Sequence, residues 1–407
     1  MKIVVTGASG FVGQLLVPRL AALGVDLLLV GRDTKKLGQL YPEIENCNYN
    51  QLAVAGAGAD SLVNLAVANS NSRLSREKFY SINVDFLLQI VKKAQSAKIP
   101  RFINVSSVHA LQSNNNTAYA NSKRAGVKAL ELLEGYQTET VYLATVYGER
   151  WSGRLAILNG LPNFLAKLLF VPIAAAKPVL HIDRFVDHLT DKGFAANSHT
   201  PVVLADDKAQ NPLYDRGIRS MDLMFAISIA LFLGWAMVLI GLMVRLNSKG
   251  PSIFVQTRVG KNQKPFSCYK FRTMKQGTRQ SGTHEISVAR VTSIGAILRK
   301  TKIDELPQIF NIFRNELSLI GPRPCLPSQV ELIDAREACG VFSIKPGITG
   351  LAQVHNIDMS TPELLVEWDA RYAALRSLAT DLSIVIATAT GSGQGDKINS
   401  VELREDE

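Results

Sequence analysis

The sequence predicts an α/β protein whose N-terminal half holds a parallel sheet, followed by one membrane-embedded helix and a small α-rich domain. Three observations lead to this prediction. The chain begins with strand, glycine turn, helix and strand; the stretch 223–244 has no charged residue; and two adjacent carboxylates lie downstream between basic blocks. We therefore divide the chain into 1–208, an embedded helix at 215–247, a second domain at 248–390 and a flexible acidic tail at 391–407.

Composition and charge limit the classes of partner. The 407 residues are 47% hydrophobic, which is enough for more than one core. Residues 216–345 carry 19 Lys and Arg against 8 Asp and Glu. Because the chain has no zinc-finger, RRM or basic-zipper pattern, we expect no nucleic acid, and we assign this charge to membrane lipids and substrate phosphates. The four cysteines have no CxxC or zinc spacing, which predicts free thiols.

The first thirty residues show the pattern of a dinucleotide-binding unit. A buried strand at 3–6 leads into a glycine turn, a helix to about Leu23, and a second strand at 26–30. Glycines in such a turn let a pyrophosphate approach the helix N-terminus closely, as in Rossmann-like folds. The turn residues that we expect to bind the cofactor are Gly7, Ser9, Gly10, Phe11, Val12 and Gly13.

Three further residues are candidates for cofactor binding. Arg32 follows the second strand and could accept a 2′-phosphate, whereas Asp33 could hold a ribose hydroxyl. The pair leaves NAD and NADP both open. Asn83 lies further along the same predicted domain.

The motifs Arg101-Phe-Ile-Asn-Val-Ser106-Ser107 and Tyr119-Ala-Asn-Ser-Lys123 complete the pattern. Over residues 1–205 the chain resembles the extended short-chain dehydrogenase/reductases that modify nucleotide sugars. Four-residue spacing places Tyr119 and Lys123 on one helix face, where the ammonium lowers the phenol pKa so that it exchanges a proton with a sugar hydroxyl. The resemblance makes Ser107 a hydrogen-bond donor to the same oxygen.

The chain departs from that family at two places. Its 4,6-dehydratases carry Thr-Asp-Glu where this chain has Ser107-Val108-His109, so we expect epimerisation or ketone reduction rather than water elimination. The usual Arg-Pro before Val146-Tyr-Gly148 is replaced by Ala144-Thr145, and the substrate-binding portion is short. The alternative is a noncatalytic nucleotide-binding module.

The uncharged run 223–244 would measure about 33 Å as a helix, which is long enough to cross a bilayer. Basic residues flank it on both sides, so charge selects no orientation. If both domains need cytosolic substrates, one complete crossing would separate them. We therefore predict a re-entrant helix with a break at Gly234, the alternatives being a straight span and a buried soluble helix.

The C-terminal half resembles the monotopic phosphoglycosyl transferases, bacterial sugar transferases that start glycoconjugate assembly on a polyprenol phosphate. The resemblance covers residues 215–390 and rests on five motifs in order: Lys270-Phe-Arg272-Thr-Met274, Leu298-Arg299, Ile303-Asp304-Glu305-Leu-Pro307-Gln308, Gly321-Pro-Arg323-Pro324 and Lys345-Pro-Gly347-Ile-Thr-Gly350. It implies transfer of phospho-sugar from a UDP-sugar to undecaprenyl phosphate, with UMP release and Mg²⁺. It also implies the cytoplasmic face of the bacterial inner membrane and a role in exopolysaccharide or lipopolysaccharide biosynthesis.

The same resemblance assigns roles to residues. Asp304 is the nucleophile that forms an aspartyl phospho-sugar intermediate, and Glu305 is its partner at the metal. The other candidates for substrate and phosphate binding are Lys270, Arg272, Arg299, Arg323, Asp369 and Asp381. Attack by a carboxylate divides one difficult transfer into two, and cations offset the charge of nucleophile, diphosphate and leaving group.

Local sequence adds two expectations about helices. Pro307 suits a first helical turn, so the apolar residues at 309–313 should anchor this helix while its N-terminus favours an ionised Asp304. The family's re-entrant helix breaks at Ser-Pro, and the equivalent pair here is Gly234-Trp235, which encodes a bend less strongly because proline's loss of a hydrogen bond is absent.

Together these observations predict a bifunctional membrane-associated enzyme, in which an NAD(P)-dependent epimerase or 4-keto reductase is fused to a phosphoglycosyl transferase. Two alternatives remain: the same transferase with a noncatalytic N-terminal module, and a nonenzymatic membrane scaffold. The sequence leaves open the sugar, the order of modification and transfer, and homo-oligomer formation.

Overall fold

The computed structural model describes residues 1–68, 72, 74–112, 115–151, 153–191, 201–275 and 291–392. The chain divides into two compact units. The first comprises residues 1–170 and 178–207, and the second comprises 171–177 and 208–407. The tail predicted to be flexible lies, from residue 393 onward, outside the described residues.

Strands and helices alternate through the first unit. Its strands are β1 (Lys2–Thr6), β2 (Asp26–Val30), β3 (Glu45–Cys47), β4 (Ser61–Asn64), β5 (Arg101–Ser107), β6 (Gln137–Leu143), β7 (Thr145–Tyr147), β8 (Val179–His181) and β9 (Val202–Leu204). Its helices are α1 (Phe11–Ala22), α2 (Thr34–Leu40), α3 (Leu52–Ala55), α4 (Arg76–Tyr80), α5 (Leu87–Ser96), α6 (Ala118–Glu131), α7 (Asn163–Ala176) and α8 (Ile182–Thr190). Among the described residues seven of the strands form one sheet in the order β3-β2-β1-β4-β5-β6-β9.

This sheet confirms the predicted parallel Rossmann-like architecture. Every neighbouring pair in it is parallel, and order 3-2-1-4-5-6 is that of dinucleotide-binding folds. The glycine turn has the predicted geometry. Gly7 has φ +70°, and a Cβ on Gly13 would lie 2.6 Å from the Ala8 backbone, so only glycine lets α1 pack this closely after β1.

The second unit is richer in helix. Its helices are α9 (Pro212–Asn247), α10 (Ser293–Lys300), α11 (Ile309–Phe313), α12 (Val330–Ala338), α13 (Leu351–Val354), α14 (Pro362–Leu375) and α15 (Leu378–Ala389). Its strands are β10 (Ile253–Val259), β11 (Pro265–Phe271), β12 (Ser318–Ile320) and β13 (Gly347–Thr349). The strands form two separate pairs, an antiparallel β10–β11 hairpin and a parallel β12–β13 pair.

Helix α9 contains the predicted apolar run and continues for 36 residues. The break that we predicted at Gly234 does not interrupt it. Glycine keeps the backbone N–H that proline lacks, so the helical hydrogen bonds can continue. The indole N–H of Trp235 also donates to the carbonyl oxygen of Phe232 at 2.9 Å, inside the same turn.

One face of α9 packs against the second unit along much of its length. Met221 and Phe225 join the cluster around Ile320, and Val244 joins the cluster around Phe271. The remaining face exposes large apolar side chains: Met224, Ile227, Leu231, Phe232, Leu233, Trp235, Val238, Leu239, Leu242, Met243 and Leu246. Only 6% of the most apolar 18-residue window is buried, so α9 does not have the surroundings of a soluble core helix.

Polar side chains fix α9 in this position. Near its start the guanidinium of Arg219 donates to the carbonyl oxygen of Ile312 at 2.7 Å. One turn on, the buried Asp222 carboxylate accepts from the Leu319 N–H at 2.7 Å. At the other end Arg272 donates to the carbonyl oxygens of Ser248 and Lys249 at 2.6 and 2.8 Å.

Candidate active site

The paired carboxylates lie in a short 3₁₀ segment, Ile303–Gln308, that leads into α11. This differs from the predicted α-helix, because Lys302 before it adopts a left-handed conformation with φ 56° and turns the chain sharply. Ile309 and Ile312 anchor α11 as predicted. The two phenylalanines, which we also expected to anchor it, are 53% and 40% exposed and belong to the apolar surface instead.

Two cations hold the Glu305 carboxylate. The Lys270 ammonium on β11 lies 2.7 Å from Glu305 Oε1, and the Arg323 guanidinium, from the loop after β12, lies 3.2 Å from the same oxygen. Burial by itself raises the pKa of Glu305, but these two charges outweigh it and lower the pKa well below the usual range. Glu305 is therefore a fixed anion at neutral pH.

Asp304 has a different environment. Its residue is 8% exposed, and within the described part of the chain its carboxylate accepts no side-chain or backbone hydrogen bond. Burial, and then the negative charge of Glu305, raise the pKa of Asp304 to about 6. We expected the helix N-terminus to favour its ionised form, but desolvation and the neighbouring anion are the larger effects here. The two adjacent carboxylates therefore differ in how readily they lose a proton.

Further cations surround the pair. Arg299 lowers the pKa of Asp304 through its charge, and its Nε donates to the Thr273 hydroxyl at 2.9 Å. Sequence reasoning did not include Arg258 among the site residues. Its Nη1 donates to the carbonyl oxygen of Pro324 at 2.9 Å, beside Arg323. The feature that could have identified Arg258 is its position in β10, the strand that pairs with the strand carrying Lys270.

Asp369 contacts a protein cation that the sequence did not identify. Both its hydrogen bonds come from Arg336, at 2.6 and 3.0 Å, and the two side chains are only 3% and 2% exposed. Arg336 also donates to the backbone carbonyl oxygen of Arg323 at 3.0 Å. The structure therefore places Asp369 one step behind the Arg323 loop. No motif in the sequence predicted that a residue of α12 would pair with a residue of α14.

Two other predicted phosphate-binding residues are held by structural partners. Asp381 is fully buried and accepts from the hydroxyls of Tyr214 and Tyr372 at 2.9 and 2.8 Å. Burial raises its pKa to about 6, although both tyrosines oppose the shift. The contacts of Arg272 are those described at the end of α9. Neither residue contacts the Asp304–Glu305 pair.

A small pocket with mixed polar and apolar walls includes Arg323 in its lining. Its walls include Gly321, Gly350, Gln353, Asp358 and Asp369. The glycines belong to the crowded β12–β13 backbone, where the Gly321 N–H donates to the Thr349 carbonyl oxygen at 2.8 Å. The pocket therefore adjoins Arg323, one of the two cations that hold Glu305.

The second set of predicted catalytic residues lies in the first unit. Tyr119 and Lys123 lie on α6 as predicted, and Ser107 ends β5. We expected the Lys123 ammonium to lower the pKa of Tyr119, but burial raises this pKa, and the opposing effect comes from a hydrogen bond with the Ser107 side chain. Lys123 Nζ donates to the Val105 carbonyl oxygen at 3.0 Å, and burial lowers its pKa to about 7.

The predicted cofactor residues have more varied surroundings. The turn at 7–13 lies between β1 and the start of α1, as expected. Asp33 caps α2 by accepting from the Lys36 N–H at 3.0 Å, and Arg32 beside it is exposed. Asn83 is buried and donates to the Ser122 hydroxyl at 2.9 Å, so it holds α6 in place.

Comparison with known proteins matches each half of the chain to a family. Residues 214–393 match the bacterial sugar transferase family. Residues 3–170 match the NAD dependent epimerase/dehydratase family. The chain belongs to the bacterial sugar transferase family, with an epimerase/dehydratase-type domain at its N-terminus.

Curated relatives cover chiefly the C-terminal half. The UDP-N-acetylgalactosamine-undecaprenyl-phosphate N-acetylgalactosaminephosphotransferase of Aeromonas hydrophila is 34% identical over 233 residues, which are 56% of this chain and 54% of the relative. The exopolysaccharide production protein ExoY of Rhizobium meliloti is 31% identical over 48% of this chain and 95% of its own length. The chain thus spans about half of the first relative's length.

Solved structures also share similarity with this chain. UDP-glucose 4-epimerase of Thermotoga maritima is 18% identical, with a TM-score of 0.36 over 46% of this chain and 71% of that structure's chain.

The Asp369–Arg336 pair allows a test of the role of Asp369. Asp369→Asn should lower the free energy of unfolding by about 3–5 kcal/mol, because it leaves a buried guanidinium without its charge partner. Replacing both with leucine should recover most of that loss in denaturant unfolding, yet leave transferase activity low because the Arg323 loop loses its support. If Asp369→Asn unfolds like the parent but fails to bind donor, Asp369 contacts substrate instead.

Proposed function

We propose that the second unit transfers a phospho-sugar from a UDP-sugar to undecaprenyl phosphate. The observation that carries this proposal is the unequal environment of two consecutive carboxylates. Glu305 is held ionised by Lys270 and Arg323, whereas Asp304 has a raised pKa and accepts no hydrogen bond from the described residues. The name of the Aeromonas relative describes a sugar phosphotransfer to undecaprenyl phosphate, which supports the same reaction class.

In the proposed mechanism, an Asp304 oxygen attacks the phosphorus that bears the sugar. The bond from that phosphorus to the bridging oxygen breaks, and UMP leaves with the electron pair. An aspartyl phospho-sugar ester remains. A phosphate oxygen of undecaprenyl phosphate then attacks the same phosphorus, which releases the Asp304 carboxylate and forms the diphosphate-linked sugar.

The surrounding cations provide electrostatic stabilisation for both steps. Charge develops on the equatorial phosphate oxygens and on the leaving oxygen, and fixed cations in a buried site stabilise it without reorganising. Arg323 and Lys270 contact Glu305, and Arg299 approaches Asp304 closely enough to lower its pKa. These three side chains are therefore placed to bind the diphosphate.

Mg²⁺ is the cation that we expect in addition. Within the described residues no group of three or more His, Cys, Asp or Glu side chains could hold a metal. Two adjacent carboxylates nevertheless fit Mg²⁺, which commonly takes one or two carboxylates and completes its shell with water and substrate phosphates. Asp304 and Glu305 would hold it, and the bound ion would offset phosphate charge.

The packing of α9 supports attachment to one face of the membrane. Its side chains contact the second unit from Met221 to Val244, which is about 35 Å of helix. A helix crossing the bilayer would carry that packed domain into the hydrocarbon. We therefore propose a monotopic enzyme on the cytoplasmic face of the inner membrane, with the exposed apolar face of α9 in the lipid.

We further propose that the first unit binds NAD or NADP and acts as a sugar epimerase or 4-keto reductase. The glycine turn fits a dinucleotide because a side chain on Gly7 or Gly13 would meet backbone atoms at 2.6 Å. The bound nicotinamide would supply or accept hydride. Tyr119 would exchange the proton of the sugar hydroxyl, assisted by Ser107 and Lys123.

Asp304→Asn should abolish covalent labelling of the protein by a donor UDP-sugar and lower UMP release to background, because an amide cannot form the ester. The full chain with undecaprenyl phosphate and Mg²⁺ is assayed by intact mass and UMP release. Asp334→Asn, at an exposed position on α12, is the matched control and should behave like the parent. Label persisting in Asp304→Asn would contradict the nucleophile assignment, and no UMP from any UDP-sugar would favour a membrane scaffold.

The rate of labelling should also depend on pH. Only the carboxylate form attacks, and burial raises the pKa of Asp304 to about 6, so the protonated form persists to higher pH than in a free aspartate of about 3.9. In the free enzyme kcat/KM should fall roughly tenfold per pH unit below about 5.5 and level off above 7. A profile that is flat from pH 5 to 8 would argue against this environment.

Tyr119→Phe should leave NAD(P) binding within about twofold but reduce turnover of a 4-keto sugar nucleotide at least a hundredfold, because only the proton donor is lost. Tyr136→Phe removes a phenol that donates to the Ile99 carbonyl oxygen and serves as the control. Binding is followed by nicotinamide fluorescence and turnover by NAD(P)H absorbance. If the purified chain binds neither coenzyme, the first unit is a noncatalytic module.

A further inference from the structure

Helix α7 has an apolar composition that its packing does not account for. It covers Asn163–Ala176 and contains one charged residue, Lys167. One side is buried through Ala166, Phe170 and Ala174. The other side faces solvent although it is also largely apolar.

The exposed side chains form a stripe. Phe164 and Leu168 are 70% and 66% exposed and stand four residues apart, so they lie on one face of the helix. Leu169 is 48% exposed, and Ile157 in the preceding 3₁₀ segment is 78% exposed. Soluble proteins seldom expose clustered large apolar side chains unless something binds them.

The last turn of α7 is attached to the start of α9. Residues 171–177 belong to the second unit. There, the Lys208 ammonium donates to the carbonyl oxygens of Ala174 and Lys177, the latter at 2.7 Å. The Asn211 side-chain amide donates to the Val171 carbonyl oxygen at 3.0 Å.

Asn211 is at the same time the N-cap of α9. Its Oδ1 accepts from the N–H groups of Leu213 and Tyr214 at 3.1 and 3.2 Å. A single side chain therefore joins the end of α7 to the first turn of the proposed membrane helix. Through this junction the last turn of α7 is fixed to the start of the helix whose exposed apolar face extends from Met224 onward.

The charges around α7 also suit a lipid surface. Lys167 in α7 and Lys177 directly after it are exposed, and α7 has no acidic residue. A helix with an apolar face and basic neighbours binds in the plane of a membrane, where its cations meet anionic headgroups.

We infer that α7 is an interfacial helix, which inserts Phe164 and Leu168 among the lipids next to the start of α9. The inference rests on the proposed membrane attachment of α9 and extends it to the segment that carries the nucleotide-sugar-modifying unit. That unit would then have two attachments to the lipid, its covalent link to α9 and α7 itself. It would work at the membrane surface rather than at the end of a free tether.

A depth measurement tests this inference in the full chain. A bimane label is placed on Leu168→Cys, on Leu231→Cys in α9, or on Leu132→Cys, a residue of the first unit that is 74% exposed. The native cysteines Cys47, Cys268 and Cys325 are buried, and Cys339→Ser serves as the background. Each protein is placed in vesicles of phosphatidylethanolamine and phosphatidylglycerol that carry nitroxide-labelled lipids.

Nitroxide lipids should quench labels at 168 and 231 at least twofold more than the label at 132. Quenching at 231 with none at 168 would overturn the role of α7 while leaving the attachment of α9 intact. No quenching at either position would overturn both. A label at 168 that is shielded from water but not quenched would show that a protein surface, from a second copy or a partner, covers α7, which also contradicts the inference.

Discussion

Two carboxylates on consecutive buried residues cannot both stay charged unless cations hold them, and this constraint governs the second unit. Lys270 and Arg323 converge on Glu305, which leaves Asp304 with a raised pKa and with no hydrogen bond from the described residues. Much of the surrounding structure keeps those cations in place. The β10–β11 hairpin carries Lys270, and the loop after β12 that carries Arg323 is supported by Arg336.

The polar contacts of α9 connect this long apolar helix to the carboxylate site. Arg219 binds the carbonyl end of α11, which directly follows the carboxylates, and Asp222 binds the β12 backbone that leads to Arg323. At the far end Arg272, two residues beyond Lys270, binds the last carbonyl groups of α9. Apolar packing holds a helix against a domain but permits sliding, whereas these directional bonds fix its register. These contacts therefore fix the position of the Asp304 segment relative to α9.

Local sequence patterns predicted much of the fold and the position of the main motifs. The glycine turn, the Tyr119–Lys123 spacing and the motif around Asp304 each depend on neighbours in sequence, and the family matches bear out both halves of the chain. Interactions between distant residues were not predictable. The sequence did not indicate that Asp369 pairs with Arg336. It also suggested that Arg272 binds phosphate, whereas in the structure Arg272 donates to the backbone at the end of α9. The prediction of a helix break at Gly234 was wrong, because glycine permits a helix to bend without requiring it to bend.

The glycines of the β12–β13 pair have a consequence for how this unit can change. A methyl group on Gly347 would lie 2.0 Å from the Gly321 backbone nitrogen, and one on Gly350 would lie 2.3 Å from the Gly321 carbonyl oxygen. Any substitution of these glycines adds a side chain where the neighbouring backbone leaves no space. Changes in the shape of the pocket are thereby confined to other parts of its wall, such as Gln353, Ile357, Asp358 and Met359, which already line the space.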